Sequence, residues 1–284
     1  MPRRLLVIAA LMALFIGGLA ACARPSTSTS QPAVTVPAST STLSSGATSP
    51  PASGPSASQS PTITPTSEVS QESQLVVYAV GDDTEPGNES VSHRLAGLIP
   101  LPSQGLDLFI YLGDVRMTGS PADFQRYDAI WGGGGRDLRT KTASLIGNHE
   151  TASRETGWVP YWSGKLITPW PGSLTQTSPP YYTITLGAWK FIILDTTTSL
   201  ASGSPQYNFL VQELKESGYR CIVCGHYPRW SNGLHGDDSD LDAAWKAMCT
   251  YGAVAYLSGH DHGSQVQPQR DGNGTVVSSG AASN

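Results

Sequence analysis

The sequence predicts an α/β fold in which mixed β-sheets are covered on both faces by helices. Three observations carry that expectation. The strand-like runs are apolar throughout instead of alternating, as strands covered on both faces are. Segments of helical period separate them. A hairpin in the middle of the domain and two short strands near its end make the sheets mixed instead of purely parallel. Five strand-like runs end alike, in glycine and then a ligand-type residue: Gly81-Asp82, Gly113-Asp114, Gly147-Asn148, Gly225-His226 and Gly259-His260. In open sheets of this class ligands bind beyond the carboxyl ends of the strands. The repeated punctuation therefore places one site, assembled from five loops.

The chain opens with a segment that does not belong to this fold. Pro2-Arg3-Arg4 is basic, Leu5 to Leu19 is apolar, and Leu19-Ala20-Ala21-Cys22 offers a small-residue cleavage site. Residues 1–21 read as a secretory signal, since the apolar run falls short of the ~20 residues a membrane span prefers. The ending resembles a bacterial lipoprotein lipobox. That resemblance implies cleavage before Cys22, lipid on its thiol and amino terminus, and an extracytoplasmic protein held to the bacterial cell membrane. Residues 22–73 are rich in Ser, Thr and Pro, and no charged side chain stands between Pro25 and Ser67. Such a segment cannot bury enough surface to offset its ordering entropy, so a disordered spacer is expected, with a reach of roughly 40 Å.

Residues 74–284 suffice for one domain with a sizeable core. Leu75 to Val80 is the first strand, followed by a helix with Val91, Leu95, Leu98 and Ile99 on one face and His93 on the polar side. Leu108 to Leu112 is the second strand. Ser120-Pro121-Ala122-Asp123 starts a helix by its capping serine and first-turn proline, and Phe124, Tyr127 and Trp131 form its apolar face. Ala143 to Ile146 leads to Gly147-Asn148-His149-Glu150, and an aromatic loop follows from Trp158 to Pro180. Tyr181 to Leu186 and Trp189 to Leu194 read as a hairpin. Ser204-Pro205 begins a helix that presents Phe209, Leu210 and Leu214. Cys221 to Cys224 is a strand, and Ser239 with Asp242 caps a helix carrying Leu241, Ala244, Trp245 and Met248. Val254 to Leu257 precedes His260 and His262, which extended backbone would place on one side. Gln265–Gln267 and Thr275–Ser278 are short strands.

The formal charge of −5 becomes −7 once Arg3 and Arg4, the only charged residues of the signal, are removed. No basic patch of the kind that tracks nucleic acid is present, so attraction for anions must come from bound cations. Cys221, Cys224 and Cys249 follow Cys22. A disulfide is allowed outside the cytosol, and an odd number leaves one thiol unpaired. Cys221 and Cys224 lie three apart on a strand and face opposite sides, which argues against a redox or zinc pair.

With His262, the strand ends supply two carboxylates, one amide oxygen and three imidazoles. This mixed set suits zinc, manganese or iron and is too rich in nitrogen for calcium or magnesium. Six ligands exceed one tetrahedral site, which points to two ions ~3.5–4 Å apart with an activated water.

These motifs, together with His226-Tyr227-Pro228-Arg229-Trp230-Ser231-Asn232-Gly233 and His235-Gly236, resemble those of the calcineurin-like metallophosphoesterases, in the bacterial purple-acid-phosphatase-like branch. The resemblance spans nearly all of residues 75–280. It implies a four-layer α+β sandwich and hydrolysis of phosphoric mono- or diesters by in-line attack of a metal-bound hydroxide. Asp82 and His262 would bind the first metal, Asp114 would bridge, and Asn148, His226 and His260 would bind the second. His149 would be the general acid, and Asn148, His235 and Arg229 would face the substrate. Thr84 stands where the wider family has a metal-binding histidine, and Met117 where the purple branch has its iron-binding tyrosine. The expectation is therefore two divalent ions, Zn, Mn or Fe, with the first held more weakly and no tyrosinate colour. Further sheet strands are also expected beyond Asn284.

Simpler roles exist for each residue. Asp82 and Asp114 on their own read as turn aspartates, His235 as a loop residue, Glu150 as a group that orients its turn, and Arg229 as packing on an aromatic ring. The rival to an enzyme is a catalytically weakened lipoprotein of the same fold that binds a phosphate ligand or a partner.

Overall fold

The computed structural model describes residues 5–7, 18–20, 75–82, 89–132, 136–163, 181–216 and 218–277. Cys22, the spacer, Asp83, Thr84, Trp170 and Ser278 lie outside the described residues. In chain order the strands are β1 (Leu5–Val7), β2 (Gly18–Ala20), β3 (Leu75–Val80), β4 (Leu108–Tyr111), β5 (Thr142–Ser144) and β6 (Tyr182–Leu186). They continue with β7 (Trp189–Ile193), β8 (Arg220–Cys224), β9 (Ala255–Leu257) and β10 (Gln265–Val266). The helices are α1 (Glu89–Leu98), α2 (Pro121–Ile130), the single turn α3 (Val159–Trp162), α4 (Pro205–Lys215) and α5 (Asp242–Tyr251).

Two sheets result. The first, in the order β1-β3-β4-β5, is parallel throughout, and the second, β10-β2-β9-β8-β7-β6, is mixed. Strand β4 shows why the sequence runs are apolar without alternation. Leu108 and Ile110 point into the core between the sheets, beside Phe191 and Ile222 of the second sheet. Phe109 and Tyr111 point the other way, onto Phe124, Tyr127 and Trp131 of α2 and its end. In β8, Ile222 and Cys224 face the inter-sheet core, while Cys221 and Val223 face Leu210 of α4 and Trp245 of α5. The layers are thus helix, sheet, sheet, helix, the expected four-layer sandwich. The three described cysteines are free thiols, with Cys221 and Cys224 on opposite faces of their strand.

Several local expectations are corrected. Ile99 is buried as expected, but Leu98 is 54% exposed: with Ile99, the buried Ser92 and Ala96 form a stripe at i, i+4 and i+7 that passes Leu98 by. The entry to α5 is capped by Asp238 and not by Ser239, because Asp238 accepts the amide of Asp240 at 2.9 Å and starts a 3-10 turn that runs into the helix. The late strands are shorter than expected, Gln265–Val266 and a lone bridge from Arg270 to Val276. Apart from these corrections, Leu5–Val7 lies alongside Leu75–Val77, and Gly18–Ala20 lies between β9 and β10. Among the described residues no helix is long and apolar enough to cross a membrane.

Candidate metal centre

All five strand-end motifs converge where the two sheets meet at their carboxyl edges. The chain turns there on residues in the left-handed region, and most of these are not glycine. Asp82 has φ 61°, Asp114 57°, His260 75° and His262 46°. Such φ values are costly for side chains with a Cβ and persist where the surroundings over-determine them. His260 and His262 are therefore not two residues of one extended strand. Strand β9 ends at Leu257, and the extended-backbone argument for their convergence does not apply.

The glycines have a different task at two positions. A Cβ on Gly147 would lie 2.0 Å from Oδ1 of Asp114, and one on Gly259 would lie 2.5 Å from Oδ2 of Asp82. The two carboxylates occupy the space that any larger residue would need.

Asp114 is the hub. Its Oδ1 accepts the backbone amide of His149 at 3.0 Å. Its Oδ2 lies 3.3 Å from Nε2 of His226 and 3.6 Å from Nε2 of His149, yet it is buried without a well-formed hydrogen bond. Burial would raise this carboxyl, but His226 and the His149 amide outweigh it and hold it below the usual carboxylate range. His226 is fully buried. Its Nδ1 sits 2.8 Å from the carbonyl of Leu112 and so carries the proton, which turns Nε2 toward Asp114 and toward Oδ1 of Asn148 at 2.9 Å. Burial opposes a charge on this ring, but Asp114 and then Asp82 push its pKa up to about 9. A proton thus stands among three ligand atoms, where a cation would stand. His260 behaves oppositely, since burial and then the charges of His226 and His235 lower it to about 4, so it is a neutral, ligand-ready imidazole at pH 7. Donor atoms of Asp114, His226 and His260 all lie within 4.8 Å of one another. The buried Asp114 oxygen and this trio fit a borderline divalent ion.

Asp82 is linked to the trio through its Oδ1, which accepts the amide of His260 at 2.8 Å. Burial, reinforced by the charge of Asp114, raises its carboxyl to about 7 against the opposing effect of His226. His262 falls outside the trio of close donor atoms. His149 is held through Nδ1, 2.7 Å from the carbonyl of Met117, so Met117 serves by its backbone while its side chain is 48% exposed. The His235 ring lies 4.2 Å from that of His260, tilted by 33°, and its amide donates to Oδ1 of Asp261 at 2.7 Å. Arg229 is not brought to the cluster. Its Nε donates to Asp242 at 2.6 Å, and its guanidinium lies 3.6 Å from the centre of the Trp230 ring, which makes it an anchor of α5.

Two groups matter more than the sequence suggested. Glu150 accepts the amides of Asp114 at 2.9 Å, Val115 at 2.5 Å and Gly147 at 2.8 Å, and so fixes the loops that carry Asp114 and Asn148. Burial, then the charge of Asp114, raises its carboxyl to about 8. The second is Asp195, which no motif in the sequence marks. Buried at the end of β7, it receives Arg154 at 2.6 Å and the Thr197 hydroxyl at 2.6 Å, tying the segment after His149 to the second sheet. The signal was the apolar run Phe191–Leu194 ending in a carboxylate, without the glycine that marks the other five.

In comparison with known proteins, the chain matches the calcineurin-like phosphoesterase family over residues 83–264. Tartrate-resistant acid phosphatase type 5 of Homo sapiens is 43% identical over 58 residues, 20% of this chain and 18% of that protein. The Mus musculus protein of the same name matches to the same extent, 43% over 58 residues. The match thus spans less than a fifth of either relative. Among solved structures, purple acid phosphatase PPD1 from yellow lupin (Lupinus luteus) seeds aligns with a TM-score of 0.42 and 16% identity, covering 62% of this chain and 35% of that one. GAP50, the anchor in the inner membrane complex of Plasmodium, aligns with a TM-score of 0.43 and 11% identity, covering 64% and 70%.

Proposed function

Because the chain belongs to the calcineurin-like phosphoesterase family, we propose that it is a metal-dependent phosphoric ester hydrolase that works outside the cytoplasm with a dinuclear centre. The observation that carries this reading is the trio of Asp114, His226 and His260, with a buried Asp114 oxygen that lacks a well-formed hydrogen bond. Asp114, Asn148, His226 and His260 would hold one ion, and Asp82 and His262, with Asp114 shared, a weaker second. When bound, the ions would polarise the phosphoryl oxygens and make a water nucleophilic at neutral pH.

The remaining steps belong to the chain. The Leu112 carbonyl fixes the His226 tautomer, which keeps Nε2 available to a ligand without rearrangement. The Met117 carbonyl holds the Nδ1 proton of His149, so the doubly protonated ring, on a quarter-exposed side chain, would be the form that delivers its Nε2 proton to the leaving oxygen and is left neutral. His235, exposed beside His260, and Asn148 would meet the substrate. Residues 1–21 would be removed and Cys22 lipidated, with residues 22–73 as the tether to the bacterial membrane. A diacylglyceryl mass on the first residue of the membrane-extracted protein would establish that anchor.

The decisive experiment is metal analysis of the purified protein with a panel of chromogenic phosphomonoesters and phosphodiesters. Two equivalents of metal, and turnover that is lost in Asp114→Asn, are expected. One equivalent or none, without turnover of either ester class, would favour a binding lipoprotein of this fold.

A further inference from the structure

Arg116 has no part in the chemistry above, yet it is held at some cost. Its backbone is left-handed, with φ 63°, where glycine would sit without strain, and its long charged side chain is buried. Two carboxylates claim that side chain. Its Nε lies 3.6 Å from Oδ1 of Asp123, and its Nη2 lies 3.3 Å from Oε1 of Glu89 at the start of α1.

Asp123 also reaches the other side of Met117. Its Oδ2 accepts the hydroxyl of Thr118 at 2.5 Å and that of Ser120 at 3.1 Å. Met117 is thus flanked on both sides by residues fastened to one carboxylate. Burial would raise that carboxyl, but the Thr118 and Ser120 hydroxyls outweigh it and hold it below the usual range, so it faces Arg116 as an anion. Glu150 backs the same turn, since a Cβ on Gly119 would lie 2.7 Å from its Cγ. The group fixed in this way is the Met117 peptide, whose carbonyl oxygen lies 2.7 Å from Nδ1 of His149. A carbonyl can only accept, so Nδ1 keeps its proton, and Nε2 is the nitrogen that loads and delivers one.

We propose that Arg116 is a positioning residue for His149: seated on Asp123 and Glu89, it aims the Met117 carbonyl at Nδ1 and so turns Nε2 toward the leaving oxygen. In this role Arg116 acts only through the Met117 peptide. The consequence for catalysis rests on the phosphoesterase reading, whereas the hold on the imidazole does not.

Two measurements test it. Heteronuclear NMR of the histidine rings in the full chain, metal-free and at mildly alkaline pH, shows which nitrogen of His149 bears the proton. The parent should carry it on Nδ1. Arg116→Gly suits the backbone but removes the anchor, and should move a large part of that proton to Nε2, while Arg116→Lys should keep most of the parent pattern. Asp123→Asn leaves an oxygen for Thr118 and Ser120, and should repeat the effect of Arg116→Gly. The second measurement is kcat/KM of the metal-loaded protein for ethyl phosphate and nitrophenyl phosphate. Arg116→Gly should slow the ethyl ester by about tenfold or more and the nitrophenyl ester far less. In a His149→Ala background the same substitution should slow neither further, because no imidazole is left to aim. A proton that stays on Nδ1 in both Arg116→Gly and Asp123→Asn, or a rate loss that persists without His149, would overturn the proposal. If the parent hydrolyses no ester, the phosphoesterase reading fails separately, and the NMR result decides whether Arg116 holds His149.

Discussion

Replacing Glu150 by alanine is the sharpest test of how this centre is held together. The side chain is fully buried and accepts three backbone amides, from Asp114, Val115 and Gly147. Glu150→Ala leaves all three donors buried without a partner. At roughly 1–3 kcal/mol for each unsatisfied group, and taking the low end because water can enter the space vacated, the loss is about 3 kcal/mol or more. For a domain of this size that corresponds to a fall in Tm of roughly 6–12 °C. Glu150→Gln keeps one acceptor oxygen and should lose less than half as much. Urea denaturation of both variants, with metal content measured beside it, provides the assay. Because two of the three amides flank the metal loops, Glu150→Ala should also lose bound metal. The reasoning is falsified if Glu150→Ala stays within about 1 kcal/mol of the parent and keeps its metal.

Three further outcomes follow from the geometry. Gly147→Ala should abolish metal binding while the far helical layer of the second sheet still folds, because the new Cβ would sit 2.0 Å from Asp114 Oδ1; circular dichroism with metal analysis checks this, and retained metal would contradict it. His149→Ala should slow hydrolysis by about 10²–10⁴ for esters of poorly leaving alcohols and far less for nitrophenyl esters; equal effects on both would remove His149 as the acid. The metal-free protein should lose stability as pH rises from about 6.5 to 9. Glu150 is raised to about 8 and His226 to about 9, so each contributes stability below its ordinary pKa that is lost as pH climbs through the folded one. Added zinc or manganese should flatten that slope, since a cation then replaces the proton; thermal melts across this range with and without metal decide it.

Much of the architecture was legible in the sequence. The unbroken apolar runs of β3, β4 and β8 could only belong to strands covered on both faces, and the Ser120-Pro121 and Ser204-Pro205 starts located α2 and α4. Local chemistry was less legible where a competing group sat a few residues away. Asp238 captured the cap that Ser239 was expected to make, and Leu98 lies outside the stripe of Ser92, Ala96 and Ile99 that the helix buries. Both outcomes are settled within a turn or two of chain, by a cap two residues long and by the face the helix turns inward.

The division is clearest at the centre itself. The amino-acid order alone determined which residue types stand at the strand ends, because glycine followed by Asp, Asn or His recurs at five of them. Tertiary structure alone decided how they meet. It placed Asp114, Asp82 and His260 in left-handed backbone, and it made Gly147 and Gly259 the residues on which carboxylates rest. It also buried Glu150 and Asp195 beneath the site, and drew Arg229 away to Asp242. Residue identity is local, whereas the space left for a carboxylate, and the partner that claims a guanidinium, are set by chain segments up to 178 residues apart, as between His260 and Asp82.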